Sequence, residues 1–168
     1  MTAVRLEPLQ RQHLTATLRW VNDPEWMRLL NRAAAVSAGE HERWFASLAM
    51  RRDCRYFAVM SGERHVGNVW LWEIDTRHRH AEVRILIGEH DAIGCGLGTA
   101  ALRRLEPVAF EDMGLHRLYA YVLDINPRAR RAFEKAGYGI EGRLREDRWS
   151  DGEFLDVHVL ARLRGDAA

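Results

Sequence analysis

Three glycines at alternate positions, in Ile93-Gly94-Cys95-Gly96-Leu97-Gly98-Thr99-Ala100, stand where a strand pattern ends and a helical one begins. Glycine enters the left-handed region without a Cβ penalty, so a ligand can come close to the main chain. The helix that follows offers unpaired N–H groups and the positive end of its dipole. Amides so arranged bind phosphate oxygens, and the implied chemistry is the holding of an anion by backbone alone. A tight strand-to-helix connection with no ligand is the competing reading. No Lys-Ser or Lys-Thr follows the last glycine, and the spacing is not G-x-G-x-x-G, so neither a Walker-type loop nor a dinucleotide fingerprint is present.

Other chemistry-bearing residues are dispersed. Two of the eight histidines, His78 and His80, lie in a charged turn without a partner at ligand spacing, so they read as surface residues and no metal is expected. Cys54 and Cys95 form no C-x-x-C pair, which fits a reducing, cytoplasmic setting. Twenty-five Lys and Arg against 24 Asp and Glu leave a net charge of +1, which disfavours a nucleic-acid partner. Arg128, Arg130, Arg131 and Lys135 make a local cationic cluster, either a solvated helix face or a guide for phosphate. Neither a secretory signal nor an apolar run of membrane-spanning length is read in the chain, so no membrane partner is expected.

The elements that would position the glycine turn follow from periodicity. Ala81, Val83, Ile85 and Ile87 alternate with His80, Glu82, Arg84 and Leu86, as in a half-buried strand over Arg79 to Ile87. Leu102, Leu105, Ala109 and Met113 fall at helical spacing behind the turn, and Pro107 predicts a kink or a break in the hydrogen-bond ladder. Upstream, Val4 to Leu9 reads as a strand and Gln10 to Val21 as a helix stopped before an Asn22-Asp23-Pro24 turn. Ser37 with Glu40 forms a capping box ahead of a second helix. Arg55 to Met60 and His65 to Ile74 read as a hairpin around Gly62. Downstream come a strand over Arg117 to Leu123, a helix opened by Asn126-Pro127 and ended by Gly137, and a hairpin turning at Asp151-Gly152. The order βααβββαβαββ predicts one α+β (mixed α/β) domain over residues 1–168, built on a single sheet.

Gly94-Cys95-Gly96-Leu97-Gly98-Thr99-Ala100-Ala101-Leu102, then Leu115-His116-Arg117-Leu118, Asn126-Pro127, Ala129 and Phe133-Glu134-Lys135-Ala136-Gly137-Tyr138, resemble the GNAT superfamily of acetyl-CoA-dependent N-acyltransferases. The resemblance covers nearly the whole chain. It implies a central, mostly antiparallel twisted sheet, splayed between its fourth and fifth strands and flanked by helices. It implies acetyl-CoA as cosubstrate, its pyrophosphate on the amides of Gly94, Cys95, Gly96, Leu97, Gly98 and Thr99. The pantetheine arm would pair with the preceding strand through Ile85, Leu86 and Ile87, a strand addition by an extended amide chain. Asn126 would contact the same arm, and Arg130 with Arg131 the adenosine end. Ile93 departs from the pattern, which usually has Gln or Arg there; the loop's amides do not depend on that side chain.

Acetyl transfer by direct attack needs a neutral amine, so a base is required when the acceptor is an ammonium of pKa about 10.4. Glu82 is the leading candidate, on the face opposite Val83, Ile85 and Ile87; a surface ion pair with Arg84 is the competing reading, and Glu73 is a weaker alternative. Many family members place Tyr before the Glu-Lys of the late helix, where this chain has Phe133; Tyr138 is then the candidate acid, with an aromatic core position that closes the next strand as its competing reading and water as the other proton source. The acceptor would meet Trp20, Asn22, Trp26, Trp44, Trp70 and Trp72. The first four, with Asp23, Pro24, His41 and Phe45, resemble branches acting on amino-sugar nucleotides, a layout shared by the branch acting on protein N termini. Trp70 and Trp72 could stack on a sugar, with core placement of at least one as the alternative. The expected function is N-acetylation of a primary amine on a small molecule such as an amino sugar or other metabolite. Acetylation of a protein N terminus and a non-catalytic CoA-binding module are the alternatives, and a homodimer is the assembly considered.

Overall fold

The computed structural model describes residues 3–166. Seven strands form one sheet in the order β1-β2-β3-β4-β5-β7-β6. They are β1 (Val4–Pro8), β2 (Arg55–Ser61), β3 (Arg64–Asp75), β4 (His80–Ile87), β5 (Arg117–Leu123), β6 (Gly139–Ser150) and β7 (Glu153–Leu163). Every neighbouring pair is antiparallel except β4 with β5, which is parallel. The helices are α1 (Leu14–Val21), α2 (Pro24–Leu29), α3 (Ala38–Leu48), α4 (Leu97–Pro107) and α5 (Pro127–Lys135). Among the described residues no helix is long and apolar enough to cross a membrane.

Alternation along the strands decides which side carries the core. Ala81 and Val83 of β4 and Leu118, Ala120 and Val122 of β5 point to one face, where Ala101, Leu102 and Leu105 of α4 and Phe133 of α5 close over them. A smaller cluster on the other face packs Trp20 of α1 and Trp26 of α2 against Leu86. Arg162 of β7 is buried at the far edge of the large core, donating to the Ala136 carbonyl at 2.6 Å and pairing with Glu106 at 3.3 Å, which ties both helix C-termini to the sheet.

The capping box of α3 forms as expected, with the Glu40 amide donating to Ser37 Oγ at 3.3 Å and the Ser37 amide to the Glu40 carboxylate at 2.8 Å. Two local expectations change. Asn22-Asp23-Pro24 reads as a turn, yet it opens α2: Asp23 Oδ1 accepts from the Glu25 amide at 2.9 Å and Pro24 takes the first helical position, where it needs no donor. The residues that punctuate a turn are also those that start a helix. The helix expected over Gln10 to Val21 begins as a short 3₁₀ turn, Arg11–His13, before α1. Pro107 ends α4 without ending the spiral, which continues as a π-helical stretch over Val108–Asp112, the wider turn accommodating the missing N–H.

Candidate active-site cleft

The sheet forks at its centre. β4 and β5 pair through His80 with Arg117, Ala81 with Leu118 and Glu82 with Tyr119, and then diverge. β5 stays with β7 as far as Leu123, so β4 from Val83 to Ile87 keeps an edge not paired with β5. Open backbone donors and acceptors of this kind suit an extended amide chain laid beside the strand. Beyond the fork is a cleft of about 1000 Å³, whose walls include Arg84, Ile85, Tyr121, Asn126 and Phe133.

The glycine turn sits past the end of β4. Gly94 (φ +79°) and Gly96 (φ +78°) are both in the left-handed region, and Gly96 caps α4. The Ala100 amide is bonded to the Gly96 carbonyl at 3.0 Å, which leaves the amides of Leu97, Gly98 and Thr99 ahead of the helical ladder. That is the geometry of an anion-binding helix start. Ile93 packs against the Trp20–Trp26 cluster, which explains an apolar residue at this position.

A second wall is aromatic and carries the titratable groups. Trp70 stacks on Tyr56 at 5.3 Å and 10°, and Trp44 meets Tyr56 edge-on at 5.2 Å. Trp72 lies under the Arg51 guanidinium at 3.9 Å, with Arg84 at 5.4 Å from the same ring. Glu82 is not a surface residue: its side chain is 6% exposed, and both oxygens are held by Arg84, at 2.7 Å from Nε and 2.9 Å from Nη2. Burial alone would lower Arg84, but its hydrogen bond and charge contact with Glu82 leave it above the ordinary arginine value. The Tyr56 phenol is pushed up to about 12 by burial. Glu73, also in the wall, has φ +51° where β3 and β4 slip register, a conformation uncommon for any residue but glycine.

Of the residues singled out in the sequence, the fold brings Glu82, Ile85, Leu86, Asn126, Trp44, Trp70 and Trp72 to the cleft. Trp70 and Trp72 are both half-buried, and Trp70 packs against the Trp20–Trp26–Leu86 cluster while lining the cleft. Ile87 continues the open edge, and Gly94 to Thr99 form the adjoining turn with Cys95 exposed. Asn126 spends its Oδ1 on capping α5, accepting from the Ala129 amide at 3.1 Å, which leaves its amide group for a ligand. Arg130 is half-buried beside Glu134 and Arg131 is exposed.

Four residues lie elsewhere. Tyr138 is in the core, 3% exposed and packed edge-on against Phe133 at 5.0 Å, its phenol driven far above the ordinary value by burial; it is not in the cleft wall. Trp20 and Trp26 are buried supports, their indole N–H groups donating to Glu89 at 3.0 Å and to the Gly88 carbonyl at 3.1 Å. Asn22 is bonded both ways to the Val36 backbone and braces the loop after α2. Tyr56 and Tyr121 join the wall without a signal in the sequence. Their strands alternate legibly, but which strands meet at the fork is set by topology.

Among the described residues no group of three or more His, Cys, Asp or Glu is placed to hold a metal ion. Residues 3–139 match the acetyltransferase (GNAT) domain family. The solved spermidine N-acetyltransferase of Vibrio cholerae, in complex with CoA and spermine, superposes with a TM-score of 0.92 at 26% identity, covering 99% of this chain and 98% of that one. The spermidine N(1)-acetyltransferase of Escherichia coli strain K12 is 28% identical over 155 residues, 92% of this chain and 83% of its own. A Vibrio cholerae spermidine N(1)-acetyltransferase is 34% identical over 105 residues, which span 61% of this chain and 60% of that relative.

Proposed function

The chain belongs to the GNAT acetyltransferase family, and on that premise we propose that it moves the acetyl group of acetyl-CoA directly to a primary amine of a small molecule, with polyamines as the first acceptor class. The observation that carries this reading is the fork: the open β4 edge runs from Glu82 toward amides presented by a left-handed glycine turn. Acetyl-CoA supplies an activated thioester. Ile85, Leu86 and Ile87 would hold its amide arm by backbone, the turn from Gly94 to Thr99 its pyrophosphate, Asn126 the arm from the β5 side, and Arg130 with Arg131 the adenosine end.

Glu82 is the base in this scheme. Each carboxylate oxygen engaged by Arg84 retains a second lone pair, so a water bridging to the amine can pass its proton to Glu82 while the side chain stays oriented. The acceptor class rests on two supports. The relatives described above are spermidine acetyltransferases, and the wall combines Trp44, Tyr56 and Trp70 with the carboxylate of Glu73, groups that attract ammonium ions through ring faces and charge. An amino sugar is the second reading, favoured by the flat Tyr56–Trp70 stack on which a pyranose ring could lie. A thiol-release assay with acetyl-CoA, run against spermidine, spermine and a panel of amino sugars, separates them. We expect release that depends on the polyamine; release with amino sugars alone moves the assignment to the second reading, and release with neither overturns both.

A further inference from the structure

Collapse of the reacting centre needs a proton for the departing thiolate, and the residue expected to supply it is missing. Phe133 lines the cleft with carbon only, and Tyr138 behind it is sealed in the core. We propose that Tyr121 is the catalytic acid of this chain, protonating the CoA sulfur from the β5 side of the fork. The proposal rests on the acetyl-transfer reading above.

The hydroxyl groups of the cleft narrow the choice. Thr17, Tyr56 and Tyr121 are the hydroxyl-bearing side chains among its described walls. Thr17 Oγ1 donates to the His13 carbonyl at 3.0 Å and accepts from Asn68 Nδ2 at 3.0 Å, so its proton is committed. Tyr56 is held between Trp44 and Trp70, and burial opposes its ionisation. Tyr121 is 45% exposed and open to the cleft.

Tyr121 also stands where the two strands part. Glu82 and Tyr119 are the last β4–β5 pair. Alternation puts Arg84 and Tyr121, two residues further on each strand, on that same face as the strands diverge. They are the first side chains past the fork on that face, and both line the cleft. An arm paired along β4 would bring its thioester to this point. Tyr119 braces the Tyr121 ring edge-on at 5.7 Å and 78°.

The step balances without further reagents. The amine nitrogen forms the C–N bond with its lone pair, the C–S bond breaks with its electron pair going to sulfur, and the Tyr121 O–H proton passes to sulfur to give the free thiol. The surplus amine proton leaves through water toward Glu82, and water reprotonates Tyr121.

The test uses Tyr121→Phe, Phe133→Tyr and their combination. Tyr121→Phe removes one oxygen from a half-exposed ring, so folding is not at issue. We expect kcat to fall about 10²-fold, in the range of general-acid contributions, with KM for amine and acetyl-CoA within about twofold. Adding Phe133→Tyr, which restores a hydroxyl to the opposite wall, should recover at least about tenfold. Unchanged kcat in Tyr121→Phe, or an effect confined to the KM of the amine, overturns the proposal and leaves acetyl transfer standing. A parent chain that binds CoA yet acetylates no amine of the panel overturns the transfer reading, and the role of Tyr121 with it.

Discussion

Glu82 shows how one residue can be legible in sequence while its setting is not. Alternation along Arg79 to Ile87 places it opposite the core-facing Val83 and Ile85, and the fold keeps it there. Its side chain is 6% exposed, and it lies between Trp72 of the preceding strand and Tyr119 of β5, a neighbour that only the fold brings beside it. Replacing Glu82 by Gln should lower kcat by about 10²- to 10⁴-fold, measured as thiol release at saturating acetyl-CoA, with CoA affinity by calorimetry unchanged. Retained turnover would reduce Glu82 to a support for Arg84. Tyr138 shows the opposite case. Its nearness to Phe133 in sequence suggests a substitute hydroxyl, but the two rings pack edge-on inside the core, where an apolar contact outweighs any access to substrate.

At the scale of elements, the turn into α4 is readable because its cause is local. Left-handed φ at Gly94 and Gly96 and an unpaired helix start need only the residues of that segment. Nothing stands within 4 Å of a Cβ added to Gly94, so Gly94→Ala tests backbone strain without steric interference. A non-glycine residue there costs about 1–2 kcal/mol, so acetyl-CoA KM should rise about tenfold with kcat at saturation nearly kept. α2 is hidden in the sequence because Asn22-Asp23-Pro24 serves equally as turn and helix cap, and its docking through Trp26 to the Gly88 carbonyl is a contact across 62 residues. The fork itself is accessible only through the family resemblance. The buried Arg162–Glu106 pair anchors the far ends of α4 and α5, and Arg162→Met should cost about 3–5 kcal/mol in chemical denaturation by leaving Glu106 without its partner.

For the whole molecule, stability should depend on pH through histidines removed from water. His13, His41 and His65 are all pulled below the ordinary value of 6.5, first by burial, and His13 also by the charge of His65, whose ring lies 4.6 Å away. The unfolded chain then binds more protons than the folded one as pH falls through about 6.5. Their contribution is complete above that value and is lost progressively toward the lower folded values. Melting temperature should decline from pH 7 to pH 5, and His65→Gln should flatten that decline; a profile that rises toward acid would show these rings to be charged in the folded state. The sheet they support opens between β4 and β5, and in the proposed function that fork receives acetyl-CoA while the amine enters along the aromatic wall. Mass spectrometry of spermidine incubated with the protein and acetyl-CoA tests this most directly: we predict one acetyl group on a primary amine for each CoA thiol released, whereas bound CoA with no acetylated amine, from spermidine or any other primary amine supplied, would contradict it.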